Sequence, residues 1–241
     1  MLTLTTYLEH RPPESLEPVI ACVWEGTPAQ DHIQRVVPDG CVDLIWLADR
    51  ELVIAGADTG PREVLLPANA RSTAIRIRAG SAGAFLGMPA SELRDRQVPA
   101  AAVWGEQVMG LEEALAGADP VGRRGLLVNI VTAREVQPDT LVSAAAHALA
   151  RPTARVAAVA AELGVSERGL RRRVLASVGY GPKTLARVVR LRRLIALGDE
   201  PLASRAFAAG YASQAHMNDE VRRLTGTTPV RFLKDAMLTA A

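Results

Sequence analysis

ELGVSERGLRRRVLASVGYGP, residues 162–182, decides how the chain is to be read. Gly164 can close a preceding helix in the left-handed conformation, and Ser166 can cap the next one by accepting a backbone N–H. Beyond Ser166 each residue advances about 100° around a helix axis, which gathers Leu170, Val174 and Val178 on one side. Arg168 and Arg172 fall nearly opposite, with Arg171 and Arg173 on the flanks. Gly179 then ends the helix, and Pro182 suits the first turn of another. The pattern is a helix-turn-helix whose second helix turns arginines outward.

The same grammar returns 47 residues later, in AAGYASQAHMNDEVRRLTGTTP, residues 208–229. Gly210, Ser213, Gly226 and Pro229 repeat the punctuation, with one extra residue in the first turn. Leu170 aligns with Met217 and Val174 with Val221, so the inward positions agree. The outer ones do not: Arg171, Arg172 and Arg173 align with Asn218, Asp219 and Glu220. Residues 151–198 hold 11 basic and 2 acidic side chains, whereas residues 199–241 hold 5 of each. The electrostatic attraction therefore belongs to the first copy. Asp219 stands at the spacing for an intrahelical ion pair with Arg222 or Arg223, which is its expected role; acceptance from a cytosine amino group is the alternative.

Over the whole chain the net charge is only +2, but it divides unevenly. Residues 1–140 carry 12 arginines, no lysine and 19 acids, a net −7, and residues 141–241 carry 16 bases and 7 acids, a net +9. A basic segment behind an acidic one points to a polyanionic partner for the basic part alone. An amphipathic helix held at a fixed angle fits a major groove roughly 12 Å wide, where arginine both neutralises phosphates and bonds guanine O6 and N7 in bidentate fashion. Double-stranded DNA is the partner this predicts. Lys183, Arg187, Arg190, Arg192 and Arg193, on the helix joining the two copies, are further candidates for phosphate contact.

Upstream, short apolar runs punctuated by turn residues predict strands: VIACVW, QRVVPDG, CVDLIWL, ELVIAG, EVLLP and TAIRIRAG, between Val19 and Gly80. Beyond Trp104 the spacing becomes helical, and Pro138 with Asp139 marks one helix start. The fold class expected is α+β. A β-rich domain, a curled sheet or barrel, occupies residues 1–104, connector helices residues 105–150, and an all-α domain with two helix-turn-helix units joined by a central helix residues 151–241, with the boundary in ARPTAR at 150–155.

Residues 151–241 resemble the DNA-binding domain of the AraC/XylS family of bacterial transcription regulators, most specifically through AAGYASQAHMNDEVRRLTGTTPVRFL. The upstream segments RVVPDGCVDLIW, AGADTG and FLGMPASELRDRQVPAAAVWG are similar to the amino-terminal domain of one subgroup. The resemblance implies two recognition helices in adjacent major-groove turns. It places Arg168, Arg171 and Arg172 at base-facing positions of the first and Gln214, Ala215, His216 and Asn218 at those of the second. Ser166 and Ser213 are caps that also come near phosphate, and Arg173, Lys183 and Arg187 complete the expected DNA-binding set. For the amino-terminal domain it implies ligand sensing or dimerisation, so a small-molecule effector, a second copy of the chain and RNA polymerase join DNA as expected partners.

Other classes are weighed against this one. No apolar run reaches the roughly 18 residues of a membrane span, and the amino terminus lacks the order of a signal peptide, so the expected location is cytoplasmic. Trp24, Trp46 and Trp104 read as core residues. Two cysteines, Cys22 and Cys41, are too few for a disulfide framework. No helical zinc motif, nucleophile elbow or phosphate loop is present, so neither catalysis, metal nor cofactor is expected. The competing readings are a cysteine-dependent enzyme or repair-type hybrid regulator using Cys41, beside Asp39 and Asp43, and a protein-interaction module that keeps the fold without binding DNA.

Overall fold

In a computed structural model of the chain, residues 6–152, 154–198 and 200–240 are described. The apolar runs form strands: β1 (Thr6–His10), β2 (Ile20–Thr27), β3 (His32–Val36), β4 (Val42–Leu47), β5 (Glu51–Ala55), β6 (Arg62–Leu66), β7 (Ser72–Ile77) and β8 (Gln97–Pro99). Six make one antiparallel sheet in the order β1-β2-β7-β4-β5-β8, and β3 pairs with β6 in a separate ribbon. The sheet is open, with β1 and β8 at its edges, so the barrel alternative is corrected. Neither edge strand was expected from the sequence.

Alternation along each strand divides the sheet into two unlike faces. Leu44 and Trp46 of β4, Leu52 and Ile54 of β5, and Ile75 and Ile77 of β7 point into one core. That core is closed by α1 (Ala82–Leu86), α2 (Ala101–Trp104), α3 (Met109–Gly117) and α4 (Pro120–Ala133), which bring Phe85, Trp104, Leu115, Leu127 and Val131. The other face carries a small cluster of Ile45, Val53, Ala55 and Ala74 against Trp24. Trp46 and Trp104 are buried as expected, and Trp104 Nε1–H donates to the Leu86 carbonyl at 3.1 Å. Trp24, only half-buried, donates to Asp43 at 3.2 Å.

A second core belongs to α5 (Thr140–Leu149), α6 (Val156–Glu162), α7 (Glu167–Val178), α8 (Pro182–Ala196), α9 (Leu202–Ala208), α10 (Gln214–Thr225) and α11 (Pro229–Ala240). Leu170, Val174, Leu191, Met217 and Val221 are completely buried in it. The connector assignment of residues 105–150 divides here. α3 and α4 pack on the sheet, whereas Val142, Ala145, Ala148 and Leu149 of α5 enter the helical core. Asp139 caps α5 by accepting the Val142 N–H at 3.1 Å. Gly210, in the left-handed conformation with φ 97°, lies so close to the end of α5 that a Cβ there would stand 2.5 Å from the Ala150 carbonyl oxygen. Ala57, in the loop after β5, is also buried in the helical core, so the two halves meet directly.

Candidate nucleic-acid interface

The repeated punctuation acts as local chemistry requires. Ser166 Oγ accepts the Gly169 N–H at 3.0 Å and Ser213 Oγ accepts the His216 N–H at 3.1 Å, which satisfies one free donor at the start of α7 and of α10. Gly179 and Gly226 close those helices at φ 101° and 71°. With α7 fixed by Leu170, Val174 and Val178, Arg168, Arg171 and Arg172 stand exposed at its first turns. Lys183 is exposed at the start of α8.

Arg173 stands apart from these three. Its guanidinium forks onto the Asp139 carboxylate with two bonds of 2.9 Å, and Asp139 is the cap of α5. The equivalent place in the second copy is Glu220, which is buried and takes Arg190 at 2.7 and 3.0 Å and Arg187 at 3.3 Å, both from α8. Opposite charges at one repeat position thus do the same work, tying the second helix of each copy to a neighbouring helix. Glu220 is therefore not part of the outer surface, and Arg187 is partly engaged inside the domain. The sequence gives a signal for this in retrospect: an acid within an otherwise basic repeat, opposite the arginine-rich α8.

On α10, Gln214 and Ala215 are exposed and Asn218 is half-buried. His216 is held from both ring nitrogens. Nδ1 accepts the Ala212 N–H at 3.3 Å, which leaves Nε2 to carry the proton towards Glu220 Oε1 at 3.2 Å. Its ring meets Tyr211 edge-on at 5.7 Å. Asp219 is exposed, and among the described residues it makes no ion pair, so the expected intrahelical bridge to Arg222 or Arg223 does not form.

The polar group around Cys41 is an internal network. Arg76 bonds both oxygens of Asp43 at 3.1 and 3.2 Å and lies 3.3 Å from Asp39, while Asp39 accepts the Cys41 N–H at 2.8 Å. Cys41 is 6% exposed, and burial first, then Asp39, pushes its thiol well above the ordinary range. A buried protonated thiol is a poor nucleophile.

Two family matches divide the chain. Residues 8–99 match a family described as "Domain of unknown function (DUF6597)" and residues 159–235 one described as "Helix-turn-helix domain". Among curated proteins the chain is similar to the "Probable bifunctional transcriptional activator/DNA repair enzyme AlkA" of Mycobacterium tuberculosis, in two strains, with 43% identity over 77 residues. That stretch is 31% of this chain and 16% of the relative, so only a small part of the relative is spanned. Among solved structures it is similar to an apo variant of ToxT from Vibrio cholerae strain SCE256, at 12% identity and a TM-score of 0.47 over 97% of both chains. It is also similar to ToxT from Vibrio cholerae O395, at 14% identity and a TM-score of 0.45 over 85% of this chain and 96% of that one.

Proposed function

The chain carries an AraC-type helix-turn-helix domain behind a DUF6597 domain, and from that premise we propose that this DNA-binding transcription regulator divides its labour between two unequal helices. α7 anchors the protein to the duplex through Arg168, Arg171 and Arg172, and α10 adds sequence selection through Gln214, Ala215 and Asn218. The observation that carries this reading is the asymmetry of the two helices on one scaffold. Both are capped, closed by glycine and fixed on the helical core in the same way, yet three exposed arginines face outward from the first. Phosphate neutralisation supplies affinity without sequence information, and side chains at base edges supply the discrimination. His216, held by Ala212 and Glu220, sets the start of α10 more than it reads a base.

The amino-terminal domain is assigned the sensing role, with a small-molecule effector as its partner. The functional boundary belongs near residue 139, since α5 is built into the helical core. Selection of bound sites from a random duplex pool, with affinity followed against salt, tests the reading. An enriched motif and a steep loss of affinity with salt are expected. No enrichment, with no retardation of duplex at low salt, would leave the protein-interaction reading in its place.

A cysteine-dependent reaction finds no support in the state of either thiol. Cys22 is pushed up to about 12, by burial first and by Glu9 and Asp43 against the pull of Arg76. Native protein treated with iodoacetamide at pH 8 should therefore stay unmodified by intact mass while unfolded protein takes up two labels. Rapid native labelling at either site would restore the hybrid reading. The sign of the linkage is fixed as well. A raised folded thiol value stabilises the protein below the unfolded thiol range near 9, and that contribution is lost as pH climbs towards about 12.

A further inference from the structure

The outward face of α7 changes character along its length. Arg168 and Arg172 lie one turn apart on it, and Ala176 continues the same line about 6 Å further on. The amino-terminal domain closes over that last part. Gly83 of α1 comes so near that a Cβ there would stand 2.3 Å from the Ala176 carbonyl oxygen, so the two helices touch backbone to backbone. The 3-10 turn Ala90–Leu93 runs on beside α7, and a Cβ on Gly179 would meet the Ala90 carbonyl oxygen at 3.2 Å. Between this turn and the helix lies a cleft of about 400 Å³, with Pro89 and Ser91 on one wall and Arg168, Arg171, Arg172 and Leu175 on the other.

A major groove is roughly 12 Å wide and 8.5 Å deep, and one helix with its side chains is about 10–12 Å across. The groove accepts one helix and leaves no room for a second element on the side that faces the bases. α7 carries α1 and the 90–93 turn on that side. We propose that α1 and the 90–93 turn form a steric latch on the first recognition helix, so that the duplex and the amino-terminal domain compete for one face of α7. In the latched state the arginines reach the duplex from the first turns only, and full seating of the helix requires release of the latch.

The interface extends to Ala57, which is buried in the helical core. It joins short, mostly backbone and apolar contacts, with Gly40 against Tyr180 and Pro61 against Gly226 at its margins. Tyr180 Oη, buried there, has no hydrogen-bond partner among the described residues. The strongest tie of α7, Arg173 to Asp139, leads to α5, which belongs to the helical core. Asp139 itself donates its N–H to the Gly80 carbonyl at 2.9 Å, so that tie sits at the base of the latch and not across it.

This inference rests on α7 being a DNA-reading helix, and its test separates the two. Gly83→Leu in the full chain favours the helical state of α1 but drives a side chain into the Ala176 carbonyl, and it adds no charge that could itself attract DNA. Apparent Kd scales inversely with the fraction of open protein, so a labelled random-sequence duplex at low salt should bind the variant about tenfold or more tightly than the parent. In the parent, saturating duplex should speed hydrogen exchange in residues 82–86 and 90–93 while slowing it in α7. Unchanged affinity of Gly83→Leu, or undiminished protection of residues 90–93 with duplex bound, overturns the latch and leaves DNA binding standing. If neither protein is retained by duplex at low salt, both readings fall. The exchange measurement on the parent decides the matter even if the variant does not fold.

Discussion

Replacing Arg171 and Arg172 together by alanine should weaken binding to duplex DNA by roughly two orders of magnitude or more at moderate salt, since each arginine–DNA contact contributes about 1–3 kcal/mol. The slope of log affinity against log salt should shrink by about 2, one for each neutralised phosphate. Both guanidinium groups are exposed on a helix held by three buried apolar side chains, so their removal leaves the fold intact. Two neighbouring substitutions sharpen the test. Arg173→Ala removes the bridge to Asp139, and should cost stability of up to about 1 kcal/mol while leaving the salt slope unchanged. Asp219→Asn removes an exposed anion that forms no ion pair among the described residues, and should raise affinity by a few-fold. Fluorescence anisotropy over a salt series measures all three. If Asp219→Asn costs as much affinity as the arginine pair, the division between anchor and reader is wrong.

What the sequence revealed and what it concealed follow one physical line. Caps and closing glycines act within a few residues, so Ser166, Ser213, Gly179 and Gly226 were legible at once, and the inward sides of α7 and α10 follow from the helical period alone. The inner strands were legible because each is an apolar run bounded by turns. β1 and β8 were not, because an edge strand exists through the partner it pairs with, and Thr6–His10 mixes exposed and half-buried residues with little apolar content. The apolar face of α5 showed that it is buried but not against which core. Charge was the least legible property. Arg173, Arg187 and Glu220 look like surface groups by composition, and only tertiary contacts turn them into ties between helices. Gly83 in SAGAFLG reads as a mere weakness in a short helix, yet its missing side chain is what lets α1 approach α7.

Glu220→Ala should be strongly destabilising, costing about 3–5 kcal/mol, because it strands cations instead of removing a pair. Glu220 and Arg190 have side chains only 11% and 12% exposed, and the carboxylate also takes Arg187 and His216. Without it, Arg190 keeps, among the described residues, the face of the Tyr211 ring 5.6 Å away, and its charge remains largely cut off from water. A loss of that size lowers the melting temperature by about 2–4 °C per kcal/mol in a chain of this length, readily seen by calorimetry. The consequence for recognition is separate. Glu220 ties α10 to α8, and His216 hangs from the same carboxylate at the first turn of α10, so the outward side chains of that helix lose their fixed angle. Sequence discrimination should therefore suffer more than the salt slope, which α7 governs. The double substitution Glu220→Leu with Arg190→Met tests the mechanism, because it removes the one deeply buried cation together with its carboxylate, leaves only the more exposed Arg187 and His216 without that partner, and should recover most of the lost stability. A single variant as stable as the parent would show that water reaches this cluster freely. In that case the tie between α8 and α10 would rest on the apolar core that holds Val188, Leu191, Met217 and Val221.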